Sequence, residues 1–299
     1  MIKILIENLL NEIEYDSFRG NVNTALIGIT SLDDLTEKPG LMRWSNVKNI
    51  DRIKVFSSGT FILDTKSKDD IRIKENCNYV FVESPRYFFQ KSLALLYPDK
   101  NEWRISNTAS IHESVSTNEK IAVGHNVVIH ENCTIGKSVR ILDNTVILAN
   151  TIIEDGVTIG ANCTIGGVGF GYEKNPAGEY ELLQHIGNVY IKSKAHIGNN
   201  TCIDRAVMGS TIIGNNVKID NLVHIAHGVI IHDNSLIIAN AMVGGSVTIG
   251  KNVWVAPSST IINKVNIGDD ALIGLGAVVL KNVEKKTIVV GNPARPLNK

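Results

Sequence analysis

A chain of 299 residues with 30 basic and 30 acidic side chains has no formal net charge, so no overall field recruits a nucleic-acid backbone or an anionic membrane as partner. Its four cysteines, Cys77, Cys133, Cys163 and Cys202, lack any CxxC spacing, which disfavours a thiolate metal site and a disulfide framework. The opening MIKILIENLLNEIEYD meets Glu7 and Asn8 before an apolar run reaches signal-peptide length, and no stretch is long enough to span a bilayer; a cytoplasmic protein without membrane insertion is expected.

In chain order, KILIENLLNEI (3–13) has apolar positions spaced for a short helix, while NTALIGIT, GTFILDT and NYVFVES read as strands. Residues 1–104 therefore form a small α/β domain. Between two of its strands lies GLMRWSNVKNIDRI, with Trp44, Asn46 and Lys48. A Trp beside an amide is compatible with ordinary packing, and equally with stacking on a nucleotide base whose edge the amide reads.

From Val123 an aliphatic residue recurs every six positions: Ile129, Ile135, Ile141, Ile147, Ile153, Ile159, Ile165, and again, after interruptions, from Ile191 to Val279. Two residues before these hits stand small or β-branched residues such as Val127, Cys133, Thr145 and Val223, which share the same side of a short strand. Asn126, Asn132, Asn144, Asn162, Asn216, Asn234 and Asn252 occupy the following turn positions, where a sharp corner demands a left-handed backbone. Three such units close a triangular coil of eighteen residues, and about eight coils stacked at about 4.8 Å make a prism of roughly 40 Å. The expected fold is mainly β: a parallel β-helix of hexapeptide repeats over 105–299. A helical reading fails, because the Val, Ile, Thr and Asn load and the period both oppose a 3.6-residue repeat.

The period breaks twice. Between Ile165 and Ile191 an insertion projects as loop 167–189, glycine-rich and led by Phe170 and Tyr172; four extra residues, VMGS, follow Ile203. Aromatics among glycines suit a lid on a ligand better than a plain solvent loop.

The small α/β domain, the coils, GFGY, the element Cys202-Ile203-Asp204-Arg205 and DNLVHIAH together resemble the UDP-3-O-acylglucosamine N-acyltransferase family of lipid A synthesis, hexapeptide-repeat acyltransferases whose β-helix is left-handed. The resemblance implies that His227 is the general base and that the backbone N–H of Gly245 is the oxyanion donor. Gly245 follows His227 by eighteen residues, one full coil, which independently places them in neighbouring layers. It further implies that the first domain holds the uridine at Trp44 and Asn46, with Asn49 standing where the family has tyrosine, and that the protein is a homotrimer. Phe170, Tyr172, His185, Asn221 and His224 are the expected substrate contacts. Lys264 aligns with a second family histidine, and the tail VVGNPARPLNK resembles coenzyme A dependent sugar acetyltransferases, which assigns Asn292, Pro293 and Arg295, with Lys264, to the thioester donor.

The expected activity is transfer of an acyl group from a thioester to the amine of a nucleotide-linked amino sugar. Acyl-CoA is the favoured donor, acyl carrier protein in lipid A synthesis the alternative, and no metal is required. A rival is a zinc enzyme like the γ-class carbonic anhydrases, which would use His227 and His232 with His185 or His196. A catalytically inert scaffold is a third reading.

Overall fold

The computed structural model describes residues 4–72, 74–98, 103–117 and 120–297. The chain divides into two units, Met1–Asn101 and Glu102–Lys299, a boundary three residues before the one set by loss of the six-residue period.

The first unit is built on a five-stranded sheet in the order Ser17–Arg19, Cys77–Val82, Gly59–Asp64, Leu41–Trp44, Gly28–Ile29. The last four strands run parallel and Ser17–Arg19 is an antiparallel edge. Helix Ile6–Glu12 forms within the expected segment, whose first residue, Lys3, lies outside the described residues. Strand Leu41–Trp44 and helix Pro85–Leu96 were not legible as elements beforehand. That helix starts at a proline in its first turn, where the missing N–H costs nothing, and buries Phe88, Ser92 and Leu96 at four-residue spacing.

The second unit is the expected parallel β-helix. Among the described residues its strands, two to four residues each, line up in three sheets of ten, nine and eight, starting at Ile121–Val123, Ser110–Ile111 and Ser116–Thr117; the last strand of the first sheet, Arg295–Pro296, is antiparallel. Each residue pairs with the one eighteen positions on in the uninterrupted coils, as in Val128 with Val146 and Ile225 with Val243. The aliphatic hits form one continuous core from Ile121 to Val289. The seven corner asparagines named above have φ between 54° and 61°. Side-chain amides of Asn126 and Asn216 donate to Asn144 and Asn234 of the next coil, tying corners together.

At several polar core positions the hydroxyl serves two backbone groups. Ser235 Oγ donates to Gly250 O and accepts from Val253 N, at 2.8 and 3.0 Å. Thr145 does the same for Gly160 O and Cys163 N. Neither hydroxyl is left unpaired in an apolar core.

Candidate functional site

His227 stands on the corner that follows strand His224–Ile225, and the chain turns at Gly228, whose φ is 68°. In the next coil Met242–Val243 pairs in register with that strand, and Ser246 N–H donates to His227 O at 2.9 Å. This register brings Gly245 against the imidazole: a Cβ on Gly245 would lie 2.7 Å from His227 Nε2 and 2.9 Å from Cε1. No side chain can occupy that position with the ring where it is.

The amide of Gly245 is set apart as well. At the corners 124–125, 136–137, 160–161, 214–215 and 250–251, the N–H after the glycine donates to Asp143, Asp155, Asn199, Asp233 and Asp269 of the next coil. Asn263 holds that place above Gly244, yet Gly245 N–H has no acceptor among the described hydrogen bonds. A free backbone donor beside an imidazole nitrogen is the arrangement that acyl transfer requires.

The inserted loop leaves after Thr164–Gly167, forms an exposed hairpin of Tyr172–Lys174 and Tyr180–Leu182, and returns at Asn188–Ile191. Its glycines cover the histidines. A Cβ on Gly169 would lie 2.7 Å from His227 Nδ1 and 2.9 Å from His185 Nε2, and one on Gly171 3.2 Å from His185 Cε1. His185 is only 6% exposed and meets His227 edge to face, with ring centroids 5.4 Å apart. In the preceding coil the Asp204 carboxylate faces His224 Nε2 at 3.7 Å.

Burial pushes the His227 imidazole below the ordinary histidine range, and positive charge on His185 or His224 would oppose its protonation further. Burial raises the Asp204 carboxyl, against a pull downward from His224 and His185. His227 is thereby kept neutral at physiological pH, the form a base needs.

The other expected residues distribute unevenly. Phe170, 87% exposed, and Tyr172 face each other at 5.0 Å and with Tyr180 line a cavity of about 550 Å³. Lys264 is exposed one coil beyond Gly245, donating its N–H to Gly245 O. Asn221 stands at the other end of the His224 strand, where its Oδ1 accepts from Asn199 N at 2.7 Å; the structure gives it a corner-capping role away from His227. Asn292 and Pro293 form the exposed turn between Ile288–Val290 and Arg295–Pro296. Arg295 lines a cavity of about 410 Å³ with Leu280 and Lys281. Lys281 lies on the same corner as His227, three coils further on, through the registers Ile225–Val243–Ile261–Val279.

His232 lies beyond the far end of strand Ile230–Ile231 from His227, and no group of three His, Cys, Asp or Glu among the described residues is arranged to hold a metal ion. Two site residues were missed as such, Asp204 and Gly169. Asp204 belongs to the motif given above, but its place beside His224 rests on the four-residue insertion after Ile203, which shifts the pairing of Cys202 with His224 away from eighteen residues.

In the first unit Trp44 and Ile29 end adjacent parallel strands, and beyond their carboxyl ends lies a cavity of about 520 Å³ lined by Trp44, Asn46, Asn49, Arg52, Thr30 and Asp33. Arg52 is ion-paired to Asp33. Trp44 packs against Phe89 at 6.1 Å. Crevices at the carboxyl ends of parallel strands are the usual ligand position in such sheets.

The family profile described as "Bacterial transferase hexapeptide (six repeats)" matches residues 132–167 and 210–245, the second stretch running from the coil before His227 to Gly245. The UDP-3-O-acylglucosamine N-acyltransferase of Caulobacter sp. (strain K31) is 38% identical over 145 residues, 48% of this chain and 42% of the relative. That of Helicobacter pylori (strain 26695) is 46% identical over 94 residues, 31% of this chain and 28% of the relative. In these stretches the chain carries hexapeptide repeats and is similar to the UDP-3-O-acylglucosamine N-acyltransferases.

The matched stretches span less than half the length of these relatives. Among solved structures, LpxA from Acinetobacter baumannii superposes with a TM-score of 0.56 at 24% identity, covering 64% of this chain and 73% of that one. The UDP-N-acetylglucosamine acyltransferase from Campylobacter jejuni gives 0.57 at 20%, covering 65% and 74%. These two likenesses establish the fold, with the hexapeptide-repeat chain following the same β-helix.

Proposed function

We propose that the chain is an N-acyltransferase acting on UDP-3-O-acylglucosamine, with an acyl thioester on acyl carrier protein as donor, the lipid A step that its resemblance implies. The names of the relatives favour the UDP-3-O-acylglucosamine acceptor over another nucleotide-linked amino sugar, and the carrier-protein donor comes with the step that the resemblance implies, in place of the acyl-CoA expected from the tail. The observation that carries the reading is His227 Nε2 set against Gly245, whose N–H is free, in adjoining coils.

In this reading the sugar amine attacks the thioester carbonyl while neutral His227 takes its proton on Nε2. The carbonyl oxygen gains negative charge and is held by the Gly245 N–H. Collapse of the tetrahedral intermediate breaks the C–S bond, and the leaving thiolate takes the proton back from His227 to depart as a thiol. The product is an amide, and no covalent enzyme intermediate is needed, because a deprotonated amine is already a competent nucleophile. The uridine is assigned to the cavity at Trp44 and Asn46. A homotrimer belongs to the same reading, supported by an outward row of Leu236, Trp254 and Leu272 with Trp254 45% exposed.

A second reading keeps the chemistry and changes the donor to acyl-CoA, favoured by the Arg295 cavity on the His227 corner. The test is to incubate pure protein with UDP-3-O-acylglucosamine, or with a panel of UDP- and dTDP-amino sugars, against 3-hydroxyacyl carrier protein or acetyl-CoA, and to read products by mass spectrometry. N-acylation of the first substrate from the carrier protein is expected. N-acetylation of another amino sugar from acetyl-CoA alone transfers the case to the second reading, and absence of product from every pair overturns both.

A further inference from the structure

Two buried ring nitrogens lack any hydrogen-bond partner, His185 Nε2 and His227 Nδ1, and both face the same small space beneath Gly169. The chemistry of each can be assigned. His185 Nδ1 lies 2.7 Å from the carbonyl oxygen of Leu183, which can only accept, so Nδ1 carries the hydrogen. In neutral His185, Nε2 is then a bare acceptor, buried and unpaired. If His227 is to receive a proton on Nε2, beside Gly245, its own neutral form carries hydrogen on Nδ1. An orphaned donor and an orphaned acceptor thus stand on rings whose centroids are 5.4 Å apart and nearly perpendicular. Left unmade, each would be a buried polar group stripped of water with nothing in return.

We propose that His185 is the positioning residue of the base: its Nε2 accepts the Nδ1–H of His227, directly or through one bridging water, and so holds His227 in the tautomer whose Nε2 lone pair faces Gly245. The chain Leu183 O, His185, His227 then transmits a backbone constraint in the inserted loop to the reacting nitrogen. When His227 gains the substrate proton on Nε2, its Nδ1–H stays with His185, and the charge is held without any proton moving along the chain. The absence of side chains at Gly169 and Gly171 gives the two rings room to meet. The charged and titratable groups facing this pair are His224 from the same strand and Asp204 from the preceding coil, with exposed Lys264 further along the corner. This inference rests on the acyl-transfer reading for the direction of the lone pair.

The test reads the tautomer without turnover. In protein labelled with ¹⁵N at histidine, held at pH 8 where His227 is neutral, the imidazole nitrogen shifts of His227 report which nitrogen is protonated. The Nδ1–H form is expected in the wild type and in His185→Gln, whose side-chain oxygen can still accept. His185→Leu is expected to release His227 into a mixture of tautomers. In the acyl-transfer assay His185→Leu lowers kcat by about 10²-fold, the low end of a positioned base's contribution, with KM unchanged, and His185→Gln recovers most of it. A wild-type His227 in the Nε2–H form overturns the proposal whatever the variants do, as does a His185→Leu protein with an unaltered tautomer. Should the tautomer behave as expected in a protein that transfers no acyl group, the coupling stands and the acyl-transfer reading fails.

Discussion

Gly245 is confined from two directions at the residue scale, because its missing Cβ admits the His227 ring and its N–H is unclaimed by the coil above. Gly245→Ala would move an imidazole and leave the backbone where it is. The expected result is a melting temperature close to wild type with kcat reduced on the order of 10²-fold, measured by thermal denaturation beside the transfer assay. Asp204 gives the pH-dependent counterpart. Its carboxyl is raised by burial, so its favourable share of stability is present at low pH and is lost as the pH rises through the folded-state value. Asp204→Asn removes that loss and leaves a neutral side chain of the same shape beside His224. The difference in melting temperature, variant minus wild type, is therefore expected to increase from pH 5 to pH 8. A constant difference across that range contradicts the assignment.

The elements show what a sequence can and cannot reveal. The coils were legible almost residue by residue, because a six-residue period, a core aliphatic and a corner asparagine are each local signals that agree. Elements that depend on tertiary partners were not: Leu41–Trp44 is a strand because Gly28–Ile29 and Gly59–Asp64 flank it, and its sequence has no alternation to announce it. The vertical neighbour of His227 could be counted at eighteen residues, whereas the neighbours of His185 and Asp204 could not, since both are displaced by insertions. Asn221, a residue of the family-like motif, caps a corner through its Oδ1. Within the coils, the buried hydroxyls carry stability. Ser235→Ala leaves Gly250 O and Val253 N unpaired in the core and should cost about 1–3 kcal/mol in urea denaturation, with no change in the slope of the transition.

Across the whole molecule, two units bring two kinds of chemistry. The coils of Glu102–Lys299 carry the corner of His227 and Gly245, and the parallel sheet of Met1–Asn101 carries a cavity lined by Trp44, Phe89, two amides and an ion pair. If that cavity holds the uridine, Trp44→Ala weakens binding of UDP by about 1–3 kcal/mol, as loss of a base stack does, and calorimetry with UDP alone measures it. Unchanged affinity would remove the nucleotide from this cavity without touching the chemistry at His227. No helix among the described residues is long and apolar enough to cross a membrane. In the proposed reaction the imidazole on one coil and the amide of the next act on a single carbonyl carbon. Single-turnover transfer from 3-hydroxyacyl carrier protein to saturating UDP-3-O-acylglucosamine, comparing wild type with His227→Ala, is the decisive measurement. A loss of about 10²- to 10⁴-fold in the rate with binding of both substrates intact is the predicted result; a His227→Ala rate equal to wild type would contradict it.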